Sequence, residues 1–211
     1  FIFTLAVAFL AASWAHALTY QFNTNGNTEG WSIASALSAL TASGGNLTGT
    51  YISNQGDPHI AAGSLAINGS TCRGLMIGVS INAPAWGQTA QDFQIFYRRT
   101  GGGSDDWEQH SFHFSVMANV GERMYYVNIP AKLAAEGKPD HWTANTIEYM
   151  RLDPSGGNVA GTFSINYMAF EAGLDWQFNT NGDNENWSIG NQIATLAASG
   201  GSLNATFPNQ A

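Results

Sequence analysis

The chain repeats itself at long range. Gln21-Phe22-Asn23-Thr24-Asn25-Gly26 returns as Gln177-Phe178-Asn179-Thr180-Asn181-Gly182. Trp31-Ser32-Ile33 returns as Trp187-Ser188-Ile189, and Ser43-Gly44-Gly45 as Ser199-Gly200-Gly201. From Gln21 to Gln177 is 156 residues, and every pair keeps that offset without a gap; 17 of the 30 residues at 21–50 recur at 177–206. Solenoid repeats run roughly 20–50 residues, so a unit this long is a duplicated domain. Residues 18–173 form the complete copy, and 174–211 hold only the beginning of a second. That second copy lacks the chain to close a core of its own. Phe178, Trp187, Ile193 and Leu203 are therefore expected to lie exposed unless they dock on the first copy.

Residues 1–17 stand apart. Phe1–Leu10 is apolar except for Thr4, and Ala15-His16-Ala17 follows as a small-residue cleavage pattern. These are the apolar and cleavage parts of a secretory signal peptide, incomplete at its start, and they predict an exported protein, secreted or held at the cell surface. The run is too short to span a bilayer. The single cysteine, Cys72, excludes an intrachain disulfide framework and a Cys-rich zinc site.

Inside the complete copy the apolar residues alternate, which is the period of a strand with one buried face. Phe93, Ile95 and Tyr97 share one face, with Gln94, Phe96 and Arg98 on the other. Phe112, Phe114 and Val116 likewise oppose Ser111, His113 and Ser115. Further strands are expected at Tyr20–Asn23, Leu47–Ile52, Leu75–Ile81, Met124–Ile129, Thr146–Leu152 and Thr162–Phe170. One short helix is expected at Ala131–Gly137. Eight or more strands with no βαβ rhythm predict an all-β chain built as a tandemly repeated antiparallel β-sandwich of the jelly-roll type. A flattened barrel is the alternative.

Composition narrows the function. Only 10% of residues are charged and the net charge is −8, so a basic face for nucleic acid or an anionic membrane is not available. Catalysis finds no motif. There is no Glu-x-Asp-x-x-Glu run, no Gly-x-Ser-x-Gly elbow, and the one acidic cluster, Asp105-Asp106-x-Glu108, sits in a glycine-rich loop. His110-x-x-His113 on one strand would point its two rings to opposite faces, which argues against a shared metal ion.

A set of spaced motifs carries a resemblance. These are Phe22-x-Thr24-x-Gly26-x-Thr28-Glu29-Gly30-Trp31, Ser43-Gly44-Gly45-x-Leu47-x-Gly49, Asp57-Pro58-x-Ile60, Arg151-Leu152-Asp153-Pro154 and Ile165-Asn166-Tyr167-Met168. In this order they resemble the galactose-binding-like jelly-roll modules appended to secreted bacterial polysaccharide-degrading enzymes and surface proteins. The resemblance implies a non-catalytic, carbohydrate-binding accessory role within a larger secreted protein. The alternatives are a structural or adhesive surface repeat with no small-molecule ligand and, more remotely, a glycoside hydrolase. Most motif residues are read as architecture: Phe22, Trp31 and Tyr167 as core or core edge, Gly44-Gly45 as a hairpin turn, Asp57-Pro58 as a turn before a strand. Related jelly rolls hold a structural calcium with an acidic residue in the last strand, where this chain has Asn166. The resemblance therefore admits a weak calcium site at Asn23 and Asn166, against the plain reading that both merely end strands and cap turns.

Sugar rings stack their C–H faces on aromatics while their hydroxyls pair with polar side chains. If neighbouring strands are in register, the polar faces of the middle strands bring together Gln94, Arg98, Ser111, His113, Tyr149, Arg151 and Asp153. Arg98, His113, Tyr149 and Arg151 form the first candidate site. Trp86 and Trp107, in loops, form the second, and Trp142 is a third loop tryptophan. Arg151 has a rival role, pairing with Asp153 or a turn carbonyl. The expected partners are a polysaccharide or glycan and the second copy of the domain.

Overall fold

In the computed structural model the described residues are 18–102, 110–155 and 159–171, together with strands at 195–199 and 202–206. The signal segment 1–17, Trp107, the Asp105–Glu108 cluster, and Phe178, Trp187 and Ile193 lie outside them. The chain divides into two compact units, 1–173 and 174–211.

The larger unit is built from β1 (Thr19–Tyr20), β2 (Ser32–Ser35), β3 (Leu37–Ser43), β4 (Asn46–Tyr51), β5 (His59–Asn68), β6 (Gly74–Asn82), β7 (Ala90–Arg99), β8 (Ser111–Met117), β9 (Arg123–Asn128), β10 (Thr146–Asp153) and β11 (Thr162–Glu171). One short helix, α1 (Ile129–Ala135), follows β9. The first sheet runs β3-β4-β11-β6-β9, with β1 added on β11; the second runs β2-β5-β10-β7-β8. Every ladder between these strands is antiparallel. The unit is an antiparallel β-sandwich.

The alternation explains the core. Leu75, Ile77, Val79 and Ile81 of β6 and Phe163, Ile165, Met168 and Phe170 of β11 are buried on the inner side of the first sheet. Phe93, Ile95 and Tyr97 of β7 and Ile147, Met150 and Leu152 of β10 are buried with them from the second. Trp142 is fully buried among Tyr97, Phe112 and Phe170, and its indole Nε1–H donates to the Cys72 carbonyl at 2.7 Å. It is a core residue, with no surface left for a ligand.

Three strands departed from the sequence pattern. β5 reads His-Ile-Ala-Ala-Gly-Ser-Leu-Ala-Ile-Asn, and its small residues Ala61, Ala62, Gly63 and Ala66 leave no apolar–polar alternation to mark it. β2 and β3 are separated by Ala36 at a φ of 52°, which breaks the period between them. Conversely, the strand expected at Tyr20–Asn23 ends at Tyr20. Phe22 takes a φ of 53°, and the Glu29 carboxylate accepts the backbone N–H groups of Gln21 and Phe22 at 3.1 and 2.9 Å. Phe22 and Trp31 are buried in the core, as expected of architectural residues. The helix begins earlier than expected because Asn128 Oδ1 accepts the Ala131 N–H at 3.2 Å, an N-cap with Pro130 in the first turn.

In the smaller unit, β12 (Thr195–Ser199) pairs with β13 (Ser202–Thr206). Ala197 opposes Asn204 and Ser199 opposes Ser202, as Thr41 opposes Thr48 and Ser43 opposes Asn46 in the β3–β4 hairpin. The repeated sequence thus takes the same hairpin register in both places.

Candidate functional site

β10 lies at the centre of the second sheet, and its ladders shift between Ile147 and Tyr149 on both sides. Such a bulge lets two successive side chains emerge on one face. Ile147 and Met150 stay buried, so Glu148 and Tyr149 both emerge on the outer face. From Tyr149 onward the register is regular, and three rows form. Tyr149 stands between Gly63 of β5 and Arg98 of β7. Arg151 stands between Ala61 and Phe96, with Ser111 beyond. Asp153 stands beside Gln94, with His113 beyond on β8. The four residues of the first candidate site therefore do share one face, on three adjacent strands.

Each is held by named partners. The Arg98 guanidinium lies over the Tyr149 ring, 5.0 Å from its centroid, while its Nε donates to Glu148 at 3.0 Å. Arg151 lies over Phe96 at 4.8 Å and donates its Nε to Asp153 Oδ1 at 2.6 Å; its Nη2 donates to both Asp153 and Asp57. His113 Nδ1 is 3.0 Å from Asp92 Oδ2, which also accepts from Gln94 Nε2 at 2.8 Å. On the β5 side Gly63 is exposed, and a β-carbon there would just touch the Tyr149 ring at 3.6 Å, so bare backbone lies beside the edge of the aromatic.

The pairing of Arg151 with Asp153, given above as its rival role, is present. Burial raises the Asp153 carboxyl above the usual carboxylate range, even though Arg151 and His59 favour its ionised form. Burial works against the Arg151 charge as well, but Asp153 and Asp57 outweigh it and hold the guanidinium protonated. Asp57, read from sequence as part of a turn, is thus a member of the site. So are Phe96 and Glu148. The sequence signal for Phe96 was its place on the polar side of an alternating strand; Glu148 could be found only through the bulge.

The far edge of the face is fastened by α1 and the turn after it. Glu136 accepts the His113 backbone N–H at 3.0 Å and pairs with Lys132 at 3.2 Å and Lys138 at 3.1 Å. Lys138 donates to the Ser111 carbonyl and hydroxyl at 3.0 and 2.8 Å. Burial alone would raise the Glu136 carboxyl, but the His113 amide and the two ammonium groups overcome it and hold it below the usual range. These bonds occupy an edge strand that would otherwise be free to pair with another chain.

The second candidate set separates. Trp86 sits in a 3₁₀ turn at Pro84–Trp86, half-buried against Tyr51 of the first sheet at 6.0 Å between ring centroids, at the rim of the core. Trp107 lies outside the described residues. His110 is buried and packs against Tyr97 and His141 at 5.5 and 4.9 Å, away from the face that carries His113.

For the calcium expectation, Asn23 Nδ2 donates to Gln21 Oε1 at 2.9 Å, and Asn166 lies on β11 against Gly78. Among the described residues, the one His, Cys, Asp and Glu group with metal-like spacing is elsewhere: Asp57, His59 and Asp153, within 4.8 Å of one another. Both of its carboxylates are bound to Arg151, so the positive charge there is supplied by a side chain.

No family model and no curated protein matches the sequence. Solved structures do resemble the fold. A carbohydrate-binding module of family 29 superposes with a TM-score of 0.46 at 11% identity, over 75% of this chain and 90% of that one. A family 29 module complexed with cellulohexaose gives 0.48 at 10% identity, over 75% and 94%. The structure named PfGH50B gives 0.51 at 10% identity, over 76% of this chain but 24% of its own length. At that identity the likeness to PfGH50B is one of fold alone.

Proposed function

We propose that residues 18–173 are a non-catalytic carbohydrate-binding module of a larger exported protein, and that the outer face of the second sheet is its binding surface. The observation that carries the reading is the Tyr149–Arg98 pair beside the exposed Gly63. It joins one aromatic ring, a ring-stacked guanidinium and bare backbone on three adjacent strands. A pyranose laid there would find an apolar flank and several hydrogen-bonding groups. Four carboxylates, Asp57, Asp92, Glu148 and Asp153, pair with Arg98, Arg151 and His113 on this face. The arrangement suits an uncharged sugar better than a uronate or sulfate, which those carboxylates would repel. Among the described residues no helix is long and apolar enough to cross a membrane. Repetition of the module along the parent chain would raise avidity for a polymer.

The second reading, a structural or adhesive repeat without a ligand, is favoured by one observation: Arg151 already donates through its Nε and Nη2 to Asp57 and Asp153. Isothermal titration of the chain and of Tyr149→Ala with neutral hexasaccharides separates the two. Binding that falls by about 1–3 kcal/mol in Tyr149→Ala, with unchanged melting, supports the module. Absence of binding to any neutral glycan establishes the structural repeat.

A further inference from the structure

The first sheet carries the same device on its own outer face. The β11–β6 ladder shifts between Ile165 and Tyr167, and Ile165 and Met168 remain buried. Asn166 and Tyr167 therefore emerge together on the outer face, opposite Gly78 of β6. In the second sheet the corresponding group is Glu148 and Tyr149, with Gly63 beside Tyr149. Each face thus sets a polar residue and a tyrosine, side by side on a bulge, against a glycine of the neighbouring strand. Sequence analysis placed Tyr167 in the core or at its edge. The bulge turns it out of the core, and it is half-buried at the surface.

Three observations make this second face more than an ordinary solvated surface. Met124 of β9 is directly opposite Gly78, is 54% exposed, and lies across it; a β-carbon on Gly78 would meet Met124 Cε at 3.4 Å and the Asn166 carboxamide carbon at 3.1 Å. Beneath that flexible thioether, Asn166 Oδ1 is buried and has no hydrogen-bond donor. A buried acceptor left unpaired is destabilising, and the loss is recovered when a donor arrives. Tyr126, on the same face, leans over Gly74, with its Cε2 and hydroxyl each 2.9 Å from where a glycine β-carbon would be. Met76 lies between, opposite both Tyr126 and Ala169.

We infer that the outer face of the first sheet is a second saccharide-binding surface, with Tyr126 and Tyr167 as the aromatic platform and Asn166 Oδ1 as acceptor for a sugar hydroxyl uncovered when Met124 swings aside. Methionine suits that part, because its unbranched side chain changes rotamer at little cost. Sugar hydroxyls supply the donor, and within the strands of this sheet the one guanidinium or ammonium is that of Arg123, at the end of β9. Beside the platform, Thr41, Thr48, Ser164 and Ser80 form a continuous row across four strands, linked at Thr48–Ser164 by 3.2 Å. They are further hydroxyl partners along the path of an oligosaccharide. This surface is independent of the one proposed above, so either can fail alone.

The test uses ¹³C-methyl methionine NMR on the whole chain, titrated with cellohexaose, mannohexaose, xylohexaose and agarohexaose. Met76 and Met124 report on the first sheet, while the amide signals of Tyr149 and Gly63 report on the second. The expected result is a saturable shift of the Met76 and Met124 methyls with at least one hexasaccharide. That shift should weaken at least tenfold in Tyr126→Ala and Tyr167→Ala and persist in Tyr149→Ala. Met124→Lys, an exposed edge substitution that leaves the core intact, should also weaken it, read at Met76. Methyls that stay unmoved by all four sugars overturn the inference, whatever the second sheet does. So does a shift produced by calcium chloride and abolished by EDTA, which would assign Asn166 to a cation instead.

Discussion

Replacing Arg151 by methionine removes the one cation shared by Asp57 and Asp153 while keeping the apolar stem over Phe96. Arg151 retains 21% of its side-chain surface and Asp153 only 7%, against 59% for Asp57. Asp57 can therefore rehydrate at little cost, whereas Asp153 is left as a buried carboxylate with only His59 to favour its charge and Asp57 opposing it. Removing one partner of a buried pair costs about 3–5 kcal/mol, and the partial exposure of Arg151 lowers the expectation to about 2–3 kcal/mol. For a unit of this size that is a melting temperature lower by roughly 5–12 °C. The loss has a pH signature. Burial already raises the Asp153 carboxyl, and without the guanidinium it rises further. A carboxyl whose folded pKa lies above its unfolded value favours folding when protonated, so the penalty in Arg151→Met is full near neutral pH. It shrinks as pH falls through the raised folded pKa. Thermal melts of wild type and variant from pH 7 down to 4 should converge, and Arg151→Met with Asp153→Asn should recover most of the loss at pH 7. A deficit that is absent, or that does not change with pH, would refute the claim that Arg151 neutralises a buried acid.

Gly49→Ala should destabilise the fold by about 1–3 kcal/mol, because a β-carbon there runs into the fully buried Phe163 ring in a packed interior; urea titration reads this directly. Gly63→Val adds a strand-compatible side chain in ordinary contact with the Tyr149 ring at an exposed position, so melting should change little while affinity for a neutral hexasaccharide falls at least tenfold. Trp86→Ala should lower the melting temperature through lost packing on Tyr51 yet leave that affinity unchanged. The depressed Glu136 carboxyl stabilises the β8 edge above its unfolded pKa of about 4.3, and this is lost as pH falls through its lower folded value. Hydrogen exchange at the His113 amide should accordingly accelerate, relative to the β10 core amides, as pH falls below that range.

Strands with a bulky buried face and a polar outer face were legible because alternation records burial directly: β7 and β8 form where their alternating faces placed them, and β10 and β11 follow their expected bounds closely. β5 escaped because Ala61, Gly63 and Ala66 are small rather than polar, and the exposed Gly63 is what leaves bare backbone beside Tyr149. The co-location of Arg98, His113, Tyr149 and Arg151 was legible up to the condition of register, which sequence does not contain. Neither bulge was legible. Both depend on one extra residue between ladder partners, and they decide that Glu148 joins Tyr149 and that Tyr167 leaves the core. Trp142 and Trp86 show the converse limit: a tryptophan between strands is as readily a wedge in the core as a platform on the surface, and only packing distinguishes them.

The most direct test of the central claim is amide chemical-shift mapping of the whole chain titrated with the neutral hexasaccharides, read at the second sheet. Saturable shifts should concentrate at Gly63, Phe96, Arg98, Tyr149 and Arg151 and disappear in Tyr149→Ala while the rest of the spectrum is preserved. Shifts confined to other residues, or a spectrum that no glycan changes, would contradict the assignment of this face as the binding surface.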